Sequence, residues 1–218
     1  MQQQKSESKV VEPNLQAINL SDCRLSLFER LIKTYLKNGE NNEYSYMLTR
    51  QGRMHQDIAK FPNYAFYQNK LIPVPLSHQE EFTPCVSDSK NGLDNLLTTR
   101  RVSFVTYPQP KNTEWEYEVS DKVNIDEAKM MSAAVYRIYK LNEKEFDKTK
   151  TVGVIVPYRN QIAMIRKEIE KTGIKALYGI SIDTVERYQG SQRDVIIYSF
   201  TIQQAHQLDF LTANTFTE

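Results

Sequence analysis

The chain has 218 residues, enough for one large domain, or one domain with an insertion, around a substantial core. Hydrophobic residues make up 40% and charged residues 25%, and no apolar run or leader pattern reads as a membrane span or signal peptide, so the composition reads as a soluble intracellular α/β domain, expected to be cytoplasmic with nucleoid or nucleus as alternatives. A net charge of +1 excludes a global field drawing the chain onto nucleic acid, so any such contact has to be local.

Residues 1–24 are expected to form a flexible N-terminal segment. Leu25, Phe28, Leu31, Ile32, Tyr35 and Leu36 then recur at helical spacing, with Asn38-Gly39 as a stop. Residues 44–48 are short and β-compatible. Residues 54–67 read as helical, broken or restarted at Pro62, because proline lacks the N–H that the helix needs. The stretch 73–99 is polar and punctuated by Pro75, Pro84 and Gly92, which predicts a long loop or excursion. Residues 102–106 predict a strand and 108–122 a loop holding Trp115, the single tryptophan.

The helix predicted over 124–140 has Asn124 as its N-cap, with Glu127 placed to reach back as in a capping box. Residues 152–156 form an apolar run of buried-strand type, ended by Pro157. Ile162, Ile165 and Ile169 mark an amphipathic helix that stops near Gly173. Further strands are expected within 176–185 and over 194–200. Strands alternating with helices predict an α/β fold: a mostly parallel sheet with helices on both faces, and ligands at the carboxyl ends of its strands. The loops after Leu48, Val156 and Val185 are therefore the places to look.

Several chemistries are absent from the sequence. It holds no GxxxxGK followed by Ser or Thr, the loop that cradles phosphates, and no glycine fingerprint of a dinucleotide enzyme. Cys23 and Cys85 lack CxxC spacing, and His55, His78 and His206 are scattered, which argues for reduced thiols and against structural zinc. Asp126-Glu127-Ala128-Lys129 imitates a magnesium-binding DEAx box, but helical periodicity follows it at once. Acids in a first helical turn are favoured by the helix dipole, so no metal ligand is assigned.

Three segments carry chemistry. In Thr184-Val185-Glu186-Arg187-Tyr188-Gln189-Gly190, followed by Gln192, Asp194 and the run 195–199, a strand-end threonine offers a hydroxyl and an N–H to phosphate. Gly190 there allows close backbone approach or a positive φ in a turn. In Val152-Gly153-Val154-Ile155-Val156-Pro157-Tyr158-Arg159-Asn160-Gln161, proline ends a strand. It is followed by an aromatic and a guanidinium, suited to stacking on a single strand and pairing with phosphate. In Gln51-Gly52-Arg53-Met54-His55, an arginine follows a predicted strand; Phe61, Phe66 and Tyr67 beyond it read as core.

These segments resemble, in order, motif V (TVDxFQGxExDVIIxS), the IGVITPYRxQ segment and motif IV (QYRMHPxI, then FPsxxFYxgxL) of superfamily 1 helicases, in the nonsense-mediated-decay and Okazaki-fragment branch. Leu25 to Leu31 is similar to the SLFERL helix of that family, and Asn124 to Ala128 to its NxxEA helix start. The resemblance covers roughly 25–199. Gly52 stands where the family has a base-stacking tyrosine, and Gln192 where it has a glutamate. The sequence ends at Glu218, before the motif VI arginine.

The resemblance implies a RecA-like domain of P-loop NTPase type over 25–218 that lacks the P-loop itself. It implies the second motor domain of an ATP-dependent helicase or translocase with a role in DNA replication or repair. ATP and Mg2+ would be held mainly by an N-terminal motor domain of the same polypeptide, so the isolated chain is expected to be inactive. Single-stranded nucleic acid is the implied partner, DNA ahead of RNA, with no membrane. Arg53 would act at the γ-phosphate. Gln51, Arg53 and Gln192 would contact nucleotide; Pro157, Tyr158, Arg159, Thr184, Gln189 and Gly190 would line the strand track. The alternative is a non-catalytic nucleic-acid-binding or protein-interaction module that keeps the helicase fold.

Overall fold

The computed structural model describes residues 9–18, 20–23, 26–35, 46–80, 91–106 and 122–202. They fall into two compact units, Met1–Glu81 and Phe82–Glu218.

In the first unit, Lys9 bridges Asp22 antiparallel, and Val10 is buried. The short helix α1 (Pro13–Ala17) starts with proline in its first turn, where the missing N–H costs nothing. Helix α2 (Leu27–Tyr35) follows, and Ser26 Oγ accepts the Glu29 amide at its start (3.1 Å). The expected stop at Asn38-Gly39 lies outside the described residues.

Of the strand expected over 44–48, residues 44 and 45 lie outside the described residues, and 46–48 do not form it. Residues 46–49 are irregular, and β1 (Arg50–Gln51) forms only where β2 (Ile72–Pro73) runs parallel beside it. A ladder needs a partner, and Tyr46 and Leu48 have none among the described residues; both are exposed. Between the strands, α3 (Gln56–Phe66) corrects the reading of Pro62. The helix runs through it, giving up one main-chain bond rather than breaking. Phe61, Phe66 and Tyr67 are exposed rather than core; within the unit, only Ala59 of α3 is buried.

The excursion at 73–99 is partly helical. Helix α4 (Ser77–Glu80) closes the described part of the first unit, and α5 (Gly92–Thr99) opens the second, capped by Asn91 Oδ1 on the Leu93 amide (2.9 Å). The strand expected over 102–106 does not form. That segment is irregular, with Val102 and Phe104 exposed and no ladder partner among the described residues. Its apolar alternation sets propensity, but pairing decides. Most of the loop with Trp115 lies outside the described residues.

The second unit is built on α6 (Ile125–Leu141), β3 (Val152–Val156), α7 (Arg159–Glu170), β4 (Ser181–Thr184), α8 (Val185–Tyr188) and β5 (Val195–Tyr198). The strands form one parallel sheet in the order β4-β3-β5, as alternating strands and helices predict. The side chains of Val152, Val154 and Val156 face the core with Val135 and Ile138 of α6, Ile165 and Ile169 of α7, and Ile182 of β4. Burying one such side chain is worth roughly 1.5–3 kcal/mol. Gly173, at φ +70°, ends the turn after α7.

On the opposite face the Tyr188 phenol lies over Gly153, so close that a Cβ there would fall 1.6 Å from its oxygen. Arg193 caps the Tyr188 ring, its guanidinium carbon 5.6 Å from the centroid. An ion pair with a buried carboxylate joins α5 to α6: Arg137 Nε donates to Asp94 Oδ1 at 2.6 Å, and Asp94 is 2% exposed.

Candidate functional site

The sheet register positions the first group of candidate residues. Val156 pairs with Thr184, so the carboxyl ends of β3 and β4 lie side by side. Pro157 leaves β3, Tyr158 occupies the N-cap of α7 without a side-chain capping bond, and Arg159 is the exposed first residue of that helix. Across from them Thr184 is 8% exposed and starts α8. The structure thus brings together Pro157, Tyr158, Arg159 and Thr184.

The amide that Thr184 could offer a phosphate is engaged internally, donating to Asp183 Oδ1 (2.9 Å). Glu186 is held below the ordinary carboxylate range by its own backbone amide, by Thr184 and by the charge of Arg159. Tyr198, at the end of β5, is pushed above the ordinary phenol range by burial, then by Glu186 and Tyr158. Aromatic, cationic and anionic groups therefore meet at the ends of three parallel strands.

The other candidates lie on other segments of the chain. Gln189 and Gly190 follow α8 and are exposed, with Gly190 at φ +84°, as a turn there requires. Gln192 is also exposed, and its carbonyl accepts from Arg193 Nη1 (2.6 Å). Gln51 and Arg53 belong to the first unit. The Arg53 side chain is exposed, whereas the Gln51 amide is taken up in its own turn: Oε1 accepts the Arg53 and Met54 amides (3.1 and 2.8 Å), and Nε2 donates to the Met54 carbonyl (2.8 Å).

Two residues without an assigned site role organise the strand-end cluster. Gln161, fully buried in α7, clasps the Asn124 backbone: Oε1 accepts its amide (2.9 Å) and Nε2 donates to its carbonyl (3.0 Å). This corrects the capping box. Asn124 Oδ1 caps the Glu127 amide (3.0 Å), but Glu127 does not reach back, because Gln161 already holds the Asn124 amide. The Glu127 carboxylate instead accepts the amides of Phe200 (2.7 Å) and Thr201 (2.8 Å) where the chain leaves β5. Thr201 is fully buried at φ +57°, a strained position for a β-branched residue, and two successive amides on one carboxylate stabilise it. Burial pushes Glu127 above the ordinary carboxylate range, against the lowering pull of the Ser199 hydroxyl and the two amides. The signal available in sequence was only the NxxEA and PYRxQ spacing.

The family described as AAA domain matches residues 23–215. DNA polymerase alpha-associated DNA helicase A of Schizosaccharomyces pombe is 29% identical over 181 residues, 80% of this chain and 25% of that protein. Helicase SEN1 of Saccharomyces cerevisiae is 27% identical over 161 residues, 73% of this chain and 7% of that protein. An uncharacterised ATP-dependent helicase of Methanocaldococcus jannaschii is 29% identical over 203 residues, 89% of this chain and 26% of that protein. The chain belongs to the superfamily 1 helicases. It is an ATP-dependent-helicase-type domain with the RecA-like α/β fold, and it spans about a quarter or less of these helicase relatives. Among the described residues no helix is long and apolar enough to cross a membrane.

Proposed function

We propose that this chain is the second motor domain, over 25–218, of a helicase or translocase that moves on single-stranded nucleic acid, DNA ahead of RNA, in replication or repair. ATP and Mg2+ would bind mainly to an N-terminal motor domain of the same polypeptide. Here Arg53 supplies a guanidinium to the γ-phosphate, with Gln51 and Gln192 beside the nucleotide. Pro157, Tyr158, Arg159, Thr184, Gln189 and Gly190 form part of the track. The observation that carries this reading is the register of Val156 with Thr184, which sets the PYR turn beside motif V at the carboxyl edge of a parallel sheet, where such folds bind ligands. Asp183 occupies the Thr184 amide, so a phosphate entering this edge exchanges with that carboxylate.

Arg53 suits its role because its side chain is exposed while its backbone is fixed by Gln51. Guanidinium is always charged, and its planar fork matches phosphate oxygens. In the full-length protein Arg53→Ala is expected to lower strand-stimulated ATP turnover by ~10³-fold or more. Arg53→Lys should recover little of it, and strand affinity without nucleotide should be unchanged. Normal turnover in a stably folded Arg53→Ala protein would sink the catalytic reading.

A further inference from the structure

The opening of the 73–99 stretch packs its polar side chains onto the turn that bears Arg53. Three of the four carbonyls in 51–54 accept hydrogen bonds from α4. Gln79 Nε2 donates to Gln51 O (2.9 Å) and Met54 O (3.1 Å), and His78 Nε2 donates to Gly52 O (3.1 Å). The turn is thus held from inside by the Gln51 amide and from outside by two side chains of α4. The Arg53 guanidinium is left exposed above it.

The chemistry of residue 79 argues for more than packing. Gln79 has no exposed surface, and its Oε1 has no hydrogen-bond partner among the described residues. A buried amide with an unsatisfied oxygen is costly, and an apolar side chain of similar size would fill the space without that cost. What an apolar residue cannot do is donate to two carbonyls of one turn. An arginine that meets a transferring phosphoryl group is useful only if its backbone is held to a fraction of an ångström, and side chains on turns depend on supporting hydrogen bonds for that precision.

We propose that Gln79 and His78 are positioning residues for Arg53, making α4 the brace that aims the guanidinium. The inference rests on the reading of Arg53 as the γ-phosphate arginine. It gives the start of the 73–99 stretch a function, and it makes the Gln51 side chain part of the same brace.

The test uses the full-length protein, with ATP turnover under saturating single-stranded DNA, hydrogen exchange at residues 51–54, and melting temperature. Gln79→Leu is expected to lower kcat on the order of 10–100-fold with KM for ATP unchanged, since small misplacement of a catalytic group costs that much. Exchange at the Arg53 and Met54 amides should rise. His78→Ala should show a smaller fall, and His78→Gln, which keeps a donor, should recover part of it. In an Arg53→Ala background, Gln79→Leu should add no further loss, because residues acting through one group are not additive. Losses that multiply, or a lower melting temperature with normal turnover per folded molecule, would overturn the proposal. If Gln79→Leu does not fold, the His78 pair decides it by the same criteria. If Arg53→Ala leaves turnover intact, the catalytic reading of Arg53 fails, whatever hydrogen exchange reports of the brace.

Discussion

The two turns that carry the candidate chemistry are held by different forces. The turn 157–159 is fixed by a parallel ladder: Val156 pairs with Thr184, Ile155 with Tyr198, and the core face behind them is buried aliphatic side chain. The turn 51–54 has a strand pair of only two residues behind it, and its geometry comes from the amides of Gln51 and Gln79 and the imidazole of His78. A ladder is made by main chain that every sequence possesses, so it tolerates substitution wherever side-chain volume is respected. A brace of side-chain hydrogen bonds is lost with one residue. The first arrangement suits a surface that repeatedly takes up and releases a strand. The second suits a single group whose aim matters.

That difference predicts how each region fails. The largest effect belongs to the braced unit, the ~10³-fold loss expected for Arg53→Ala. The brace mutations described above come next, and their effect should appear in turnover without a matching loss of stability. The sheet should show the reverse. Gly153→Ala places a methyl 1.6 Å from the Tyr188 oxygen, under a ring that Arg193 holds down, and overpacking of this kind costs roughly 1–3 kcal/mol. Denaturant unfolding of the variant measures it, and Tyr188→Phe in the same background should return part of the loss. Unchanged stability of Gly153→Ala would show that the Tyr188 ring moves freely, and that this face of the sheet is looser than the ladder implies.

Glu127 lies between the two cases, a side-chain brace inside the sheet unit. Its carboxyl binds a proton more tightly in the folded chain than in the unfolded one, because burial disfavours the charge. The stability linked to this group is therefore complete below the unfolded value of about 4.3, and it is lost as pH rises through the higher folded value. The stability difference between the wild type and Glu127→Gln, followed across that acidic window, should change with this sign. A difference that is flat with pH would contradict it. The smallest effect is expected at Gly52, where a Cβ would meet only Leu76 Cδ1 at 3.6 Å and φ is not positive. Gly52→Ala should change stability by less than about 1 kcal/mol, in the stabilising direction, by restricting the unfolded chain. A large loss would mean that the braced turn needs glycine after all.

Much of the sheet unit could be read from residue order alone. The run 152–156, the isoleucines of α7, Gly173 and the Asn124 cap each obey a local rule, and local rules are visible in sequence. The errors share one cause. Residues 102–106 have strand composition but no partner among the described residues, residues 46–48 stay irregular while Arg50 and Gln51 pair with Ile72 and Pro73, and Pro62 is carried through α3. Pairing partners and helix continuity are properties of the assembled chain.

The sequence by itself determined the alternation of strand and helix, the strand-ending Pro157, the turn glycine Gly190, and the family motifs containing Arg53, Arg159 and Thr184. These depend on periodicity and on the chemistry of single residues, which the linear order records. Only the tertiary structure decided that Gln161 clasps Asn124, that Glu127 turns from its own helix cap to the amides of Phe200 and Thr201, and that Gln79 braces the turn of Arg53. A buried amide or carboxylate bonds to whichever backbone group the fold brings within hydrogen-bonding distance of it. For these residues that group lies 25 to 74 positions away in the chain, a distance over which no local pattern carries information.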